Sequence, residues 1–202
     1  MTGSADGPGP GNGVRVYLAR HGQTALNESG VLRGLLDPPL DDEGHRQATR
    51  LGQALGPRQP ALVVASPLRR ARQTAQPVAD RAGQPVTVDQ CLNDRDYGRW
   101  AGTPKETVTE KFGSVDAAPG VEPRSAIRDR AVPGLTTIAQ RCATGSVVVV
   151  SHDAVNREVL VAIDPGLGDP DELPQDNGCF NTLDWGPGGW TVLTINEVPD
   201  ET

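Results

Sequence analysis

Four consecutive valines, Val147–Val150, are the feature that most narrows what this chain can fold into. An apolar run without polar alternation leaves neither side for water, so it suits a strand covered on both faces, as in a parallel sheet between helical layers. Val14–Ala19 and Ala61–Ala65 have the same character, the latter bounded by Pro60 and Ser66-Pro67. Helical patterns separate these runs. Asp41 or Asp42 can cap a helix to about Leu55, with Ala48, Leu51 and Leu55 on one face and Gly56-Pro57 as its stop. Ser66-Pro67 reads as a serine cap and a proline at the first helical position of a helix running toward Arg81. Ser125 to about Arg141 is periodic enough for a helix, with a kink or early stop expected at Pro133-Gly134. Asp153 reads as the cap of a helix over Ala154–Ile163. A short strand at Pro85–Val88, a short helix over Pro104–Phe112 and a terminal hairpin of Cys179–Trp185 with Trp190–Ile195 complete the pattern. It predicts an α/β fold: a three-layer α/β/α sandwich with a mainly parallel sheet and a small antiparallel edge.

The length, 202 residues, suits one domain, expected over residues 14–197. Residues 1–13 are rich in Gly, Pro and Ser and read as a disordered tail, and 198–202 as a short C-terminal tail. The 24 glycines and 18 prolines imply long connections, expected at Ala25–Pro39, Cys91–Gly102, Gly113–Pro123 and Asp164–Asp176. A net charge of -7 opposes nonspecific attraction to nucleic acid or an anionic membrane, so neither is expected as a partner. An anionic substrate must then meet local positive charge. Cys91, Cys142 and Cys179 form no CxxC pair, which signals neither a disulfide framework nor a zinc site. With no signal-peptide pattern and no apolar run of membrane-spanning length, the expected location is cytoplasmic. No pattern assigns an oligomeric state.

Each buried run ends in residues able to do chemistry. Val14–Ala19 runs into Arg20-His21-Gly22-Gln23-Thr24, with Asn27 shortly after, and Ala61–Ala65 runs into Ser66-Pro67-Leu68-Arg69-Arg70-Ala71-Arg72-Gln73-Thr74. The valine run ends in Ser151-His152-Asp153, and Leu92-Asn93-Asp94-Arg95-Asp96-Tyr97-Gly98 lies on a loop between. A parallel sheet gathers the carboxyl ends of its strands, where α/β proteins form ligand crevices, so these blocks converge on a cationic pocket bearing imidazoles. Helical geometry turns neighbouring arginines about 100° apart, so only one or two of Arg69, Arg70 and Arg72 can enter it. His45 reads as a surface residue. Trp100, Trp185 and Trp190 are scattered and read as packing residues.

The four blocks, in this order over roughly residues 14–185, resemble the histidine phosphatase superfamily, also called phosphoglycerate-mutase-like. The resemblance implies a covalent mechanism on a phosphorylated small molecule, with neither metal nor cofactor. Carried over residue by residue, it gives His21 as nucleophile, Arg20, Arg70 and His152 as ligands of the phosphoryl oxygens, and Asp94 as the acid that protonates the leaving oxygen. Asn27 and Gly34 fall where the family places an amide side chain and a glycine N–H near the phosphate, and Gln23 and Thr24 are weaker contacts. The implied activity is metal-independent phosphomonoester hydrolysis through phospho-His21. The alternatives are a cofactor-dependent phosphoglycerate mutase-type phosphotransferase and a catalytically weak relative that binds a phosphorylated ligand. A short Gly98–Pro123 segment, without the longer insertion of the mutases, leaves the site open to water and favours hydrolysis. Two departures stand out. The family commonly has glutamate where this chain has Asp94, a loss of roughly 1.5 Å of reach, with Asp96 as fallback donor. Glycine commonly stands where this chain has Asp153.

Overall fold

The computed structural model describes residues 13–200. The expected N-terminal tail, Gly13 apart, lies outside the described residues, as do residues 201 and 202. In chain order the elements are β1 (Val14–Arg20), α1 (Ala25–Glu28), α2 (Asp42–Leu55), β2 (Leu62–Ala65), α3 (Arg69–Ala82), β3 (Val86–Val88), α4 (Lys105–Phe112), α5 (Arg124–Gln140), β4 (Gly145–Ser151), α6 (Asp153–Ile163), β5 (Phe180–Gly186) and β6 (Gly189–Glu197). The strands form one six-stranded sheet in the order β3-β2-β4-β1-β5-β6. The four strands β3, β2, β4 and β1 are mutually parallel, while β5 runs antiparallel to β1 and β6 antiparallel to β5.

The valine strand β4 lies between β1 and β2, with Val148 paired to Tyr17 on one side and Val63 on the other. Its two faces explain the unbroken apolar run. Val147 and Val149 pack with Val16, Leu18 and Val64 under Ile127, Leu135 and Ile138 of α5 and Val155, Val159 and Leu160 of α6. Val148 and Val150 pack with Tyr17, Ala19, Val63 and Ala65 under Leu51 and Leu55 of α2 and Ala71, Ala75 and Val78 of α3. The alternation thus builds two cores, one on each face of the sheet, which is the three-layer arrangement. Burying each such Val or Leu side chain is worth roughly 1.5–3 kcal/mol. A third, smaller cluster of Leu32, Val108, Val115 and Ala118, with Trp100 edge-on to Phe112 at 5.1 Å, forms a cap beside the strand ends.

Several local expectations are corrected. The segment Ala25–Pro39 is not loop throughout: Ala25–Glu28 is helical, with Thr24 as its N-cap. Asp41 caps α2, accepting from the N–H of Gly44 at 2.8 Å. The N-cap of α3 is Leu68 rather than Ser66, so Pro67 lies outside the helix. Helix α5 runs unbroken through Pro133. Its buried Ile127, Ala131, Leu135 and Ile138 form one stripe whose burial outweighs the ~3 kcal/mol that an interior proline costs. His152, not Asp153, is the N-cap of α6; Asp153 is its first helical residue and holds Arg157 one turn on, Oδ1 to Nε 2.6 Å. Gly113–Pro123 has no regular structure but contributes Val115 and Ala118 to the cap. The hairpin stands as expected, with Trp185 and Trp190 paired across it.

Candidate active site

His21 is the first residue past β1, and its ring is fully buried. Its Nδ1 lies 2.6 Å from the carbonyl oxygen of Gly22. A carbonyl only accepts, so Nδ1 carries the proton and Nε2 keeps its lone pair. Arg70 Nε donates to that Nε2 at 3.2 Å, the complementary half of the same assignment. The backbone is held as firmly. His21 N–H donates to Ser151 O at 3.0 Å, and the N–H of Gly178 donates to His21 O at 3.2 Å. Gly22 N–H donates to Thr74 Oγ1 at 2.9 Å. A Cβ on Gly22 would stand 2.5 Å from Gly44 O, so glycine is required for the turn to seat on the start of α2. Burial first, then the charges of His152, Arg70 and Arg20, hold the His21 pKa well below the usual imidazole range. The ring is therefore neutral near pH 7, with the lone pair on Nε2 accepting from Arg70.

Arg70 lies in the first turn of α3 and is completely buried. It donates to Leu36 O at 2.6 Å, to Gly34 O at 2.9 Å and to Asp94 Oδ2 at 2.8 Å, besides His21. Arg20, the last residue of β1, donates through Nη1 to Gln175 O, and its buried Nε has no partner among the described residues. His152 follows β4, fully buried, 5.2 Å from His21 ring to ring. Its Nε2 is 2.7 Å from Ser66 Oγ, while its buried Nδ1 has no partner and lies 3.6 Å from Asp94 Oδ2. Burial first, then the arginines Arg70, Arg33, Arg130 and Arg20, lower the His152 pKa too. The charge of Asp153, one residue on, favours the protonated form of Arg20.

Asp94 closes the cluster, nearly buried, with Oδ1 accepting from the N–H of Arg95 at 2.8 Å. Both its oxygens thus accept from nitrogen donors. Asp96 turns elsewhere, its Oδ1 accepting from Gly98 N–H at 2.7 Å. Gly34 joins the site through its carbonyl, and its φ of +48° with a Cβ position 2.7 Å from Arg95 O leaves room for no side chain. Asn27 Oδ1 accepts from Thr24 N–H at 2.9 Å and Thr24 Oγ1 at 2.8 Å, which spends Thr24 on the start of α1 and leaves the Asn27 amide NH2 available. Gln23 is tied to α2 by its N–H to Gln47 Oε1 at 2.8 Å. Cys91 and Cys179 are inert thiols, each pushed up to about 12 by burial. Among the described residues no group of three or more His, Cys, Asp or Glu is placed to hold a metal ion, and no helix is long and apolar enough to cross a membrane.

A cavity of about 520 Å³ opens beside the cluster and touches it through Gly34, Asp94 and Asp153. Its far wall is the cap segment Gly113–Asp116 with Arg124, Arg157 and Asp171. Three members of the assembly escaped sequence reasoning. Ser66, read as a helix cap, instead meets His152; its position at a strand end, like that of Ser151, was the available signal. Gln175 and Arg33 lie in irregular segments where no periodicity says which way a side chain points.

Comparisons with known proteins bear on the family and the fold. The family model described as histidine phosphatase superfamily (branch 1) matches residues 16–198. The chain is 28% identical over 181 residues to the uncharacterized phosphatase PhoE of Bacillus subtilis (strain 168), covering 90% of this chain and 93% of that one. It is 34% identical over 179 residues to the glucosyl-3-phosphoglycerate phosphatase of Mycolicibacterium vanbaalenii, covering 81% of this chain and 76% of the relative. The solved native structure of a mycobacterial glucosyl-3-phosphoglycerate phosphatase superposes with a TM-score of 0.81 at 26% identity, over 91% of this chain and 98% of that one.

Proposed function

The chain belongs to the histidine phosphatase superfamily (branch 1), and from that premise we propose that it is a metal-independent phosphomonoesterase working through a phosphohistidine on His21. The observation that carries the reading is the locked tautomer: with Nδ1–H on Gly22 O, Nε2 is the unprotonated, buried atom that can attack phosphorus. The charge spread over the phosphoryl oxygens in flight meets Arg70, Arg20 and the unpartnered Nδ1 of His152. Arg20 and Arg70 are oriented before substrate arrives by the carbonyls of Gln175, Leu36 and Gly34, so only the contacts of Arg70 with Asp94 and His21 have to be exchanged.

In this reading the substrate enters as a monoanion, ROPO3H⁻. Arg70 exchanges Asp94 and His21 for phosphoryl oxygens, and the freed Asp94 carboxylate takes the substrate's proton. As His21 Nε2 forms the N–P bond, the P–O bond to the alcohol breaks and Asp94 returns that proton to the leaving oxygen. Water then attacks phosphorus as the N–P bond breaks, returning the lone pair to His21 Nε2. Asp94 takes the water proton and passes it to the departing phosphate, which leaves as H2PO4⁻ and restores the Asp94 carboxylate. The glucosyl-3-phosphoglycerate and PhoE phosphatases supply the precedent for hydrolysis, and a polar cavity of this size suits a substrate larger than phosphate alone.

A second reading, a binder that turns over weakly, is favoured by one observation: both Asp94 oxygens are engaged as acceptors. Turnover of an aryl phosphate in the presence of a chelator separates the two. Activity that survives chelation and vanishes in His21→Ala supports the phosphatase; tight phosphate binding without turnover supports the binder. The mutase alternative is tested on a phosphoglycerate, where isomer formation without phosphate release would displace hydrolysis.

A further inference from the structure

The arginines lining the cavity beside Asp94 divide sharply by what they touch. Arg95 is paired with Asp116 at 2.6 Å and donates to Glu122 O. Arg124 meets Asp116, Glu158 and Asp171 at 2.7, 2.9 and 2.8 Å. Arg157 holds Asp153 at 2.6 Å and the carbonyls of Pro170 and Asp171. Arg33 has neither a carboxylate nor a carbonyl partner among the described residues, and its Nε is buried with no hydrogen bond. A buried guanidinium N–H left unpaired costs free energy unless a ligand or water completes it.

The backbone that carries this side chain is held in place. Leu32, just before it, is buried in the cap cluster, with its N–H on Thr103 O at 2.9 Å. Gly34, just after it, is fixed by Arg70 and by the close approach of Arg95 O and Tyr97. Arg33 therefore projects into the cavity from between two anchored residues, next to the carbonyl that Arg70 uses. Its charge is felt in the phosphate corner, where it disfavours the protonated forms of His152, Arg70 and Arg20.

We propose that Arg33 is a carboxylate ligand, so that the preferred phosphomonoester carries a carboxylate on its alcohol portion, within the cavity beside the scissile phosphate. This rests on the phosphatase reading above. The planar fork of a guanidinium matches a carboxylate through two parallel hydrogen bonds. One uncompensated guanidinium matches one negative charge. A second dianionic phosphate would instead face Asp94 and Asp153, which line the same cavity. Lys105 also lines the cavity without a carboxylate partner among the described residues, but it is exposed.

The test compares 3-phosphoglycerate with glycerol 3-phosphate, which differ in a carboxylate against a hydroxymethyl group. Arg33→Gln is expected to lower kcat/KM for the carboxylate substrate by about 10- to 100-fold, the worth of a charged hydrogen-bonded contact. Glycerol 3-phosphate should change by less than about threefold, and Arg33→Lys should retain part of the preference. Equal loss on both substrates would mean that Arg33 grips the transferred phosphoryl group and would overturn the proposal, as would no loss on either. Calorimetric binding of the two compounds in a His21→Ala background reads the same site without turnover. There the preference for 3-phosphoglycerate must vanish with Arg33→Gln, and its absence in the parent refutes the carboxylate site. Wild-type protein that hydrolyses neither these compounds nor an aryl phosphate would defeat the phosphatase reading, while the binding ratio still decides the role of Arg33.

Discussion

The buried corner at the ends of β1 and β4 and the cavity beside it both hold arginines, but they treat the charge in opposite ways. In the corner, Arg20 and Arg70 are oriented chiefly by carbonyls, those of Gln175, Leu36 and Gly34. A neutral acceptor fixes a guanidinium without cancelling it. In the cavity wall, Arg95, Arg124 and Arg157 are tied to Asp116, Glu158, Asp171 and Asp153. Those pairs cancel charge and set shape. Positive potential is thus kept in the corner proposed to bind the phosphoryl group and cancelled where the cap meets α6. Asp94 is the one carboxylate in the corner among the described residues, and in the proposed mechanism it releases Arg70 to the substrate.

The contrast is broken most readily at Arg70. Arg70→Gln is expected to reduce kcat by about 10²- to 10³-fold, as for loss of a preorganised transition-state donor, read in steady-state kinetics on an aryl phosphate. Loss confined to KM would show that Arg70 binds the ground state alone. Next in size is the acid. Asp94→Asn should slow alkyl phosphates by about 10²-fold or more while sparing aryl phosphates with good leaving groups, because only the former need a proton. Equal slowing of both would move the role to positioning.

These two residues also show what the sequence made legible. The three buried runs and the residues at their ends could be read directly, because a strand covered on both faces has no polar positions to confuse its pattern. Arg70 was selected from its neighbours by resemblance, and its burial follows from its place in the first turn of α3. The unreadable parts depended on contacts distant in the chain. Ser66 lost its capping role because Leu68 begins the helix and His152 claims the hydroxyl. Pro133 failed to break α5 because the apolar stripe around it is buried along the whole helix. Asp153 became a partner of Arg157 because His152 occupies the cap. The pairing of Arg124 with three carboxylates from separate segments left no local trace at all.

The corner's histidines give the third prediction. Both are buried neutral with pKa values below the unfolded value of about 6.5. Between the folded and unfolded values the unfolded chain binds more protons, so stability is complete above about pH 6.5 and falls as pH drops below it. The slope is about 1.4 kcal/mol per pH unit for each histidine. Denaturant unfolding at pH 7.5, 6.5 and 5.5 should show it, and His152→Asn should flatten it. A stability independent of pH across that range would mean the imidazoles are not buried neutral.

The smallest effect is expected in the cavity wall. Arg124→Gln should leave kcat on an aryl phosphate within about threefold of the parent. It should cost about 1–3 kcal/mol of stability, because the nearly buried Glu158 would keep only Arg128. A kinetic loss rivalling that of Arg70→Gln would erase the distinction between the two regions.

The central claim is that His21 Nε2 becomes covalently phosphorylated. Rapid quenching of the enzyme with radiolabelled substrate, followed by peptide mapping, tests it most directly. The account predicts a transient acid-labile, alkali-stable phosphoenzyme, formed stoichiometrically with released alcohol, mapping to His21 and absent from His21→Ala. Full turnover without any phosphoenzyme, or label on a different residue, would contradict it.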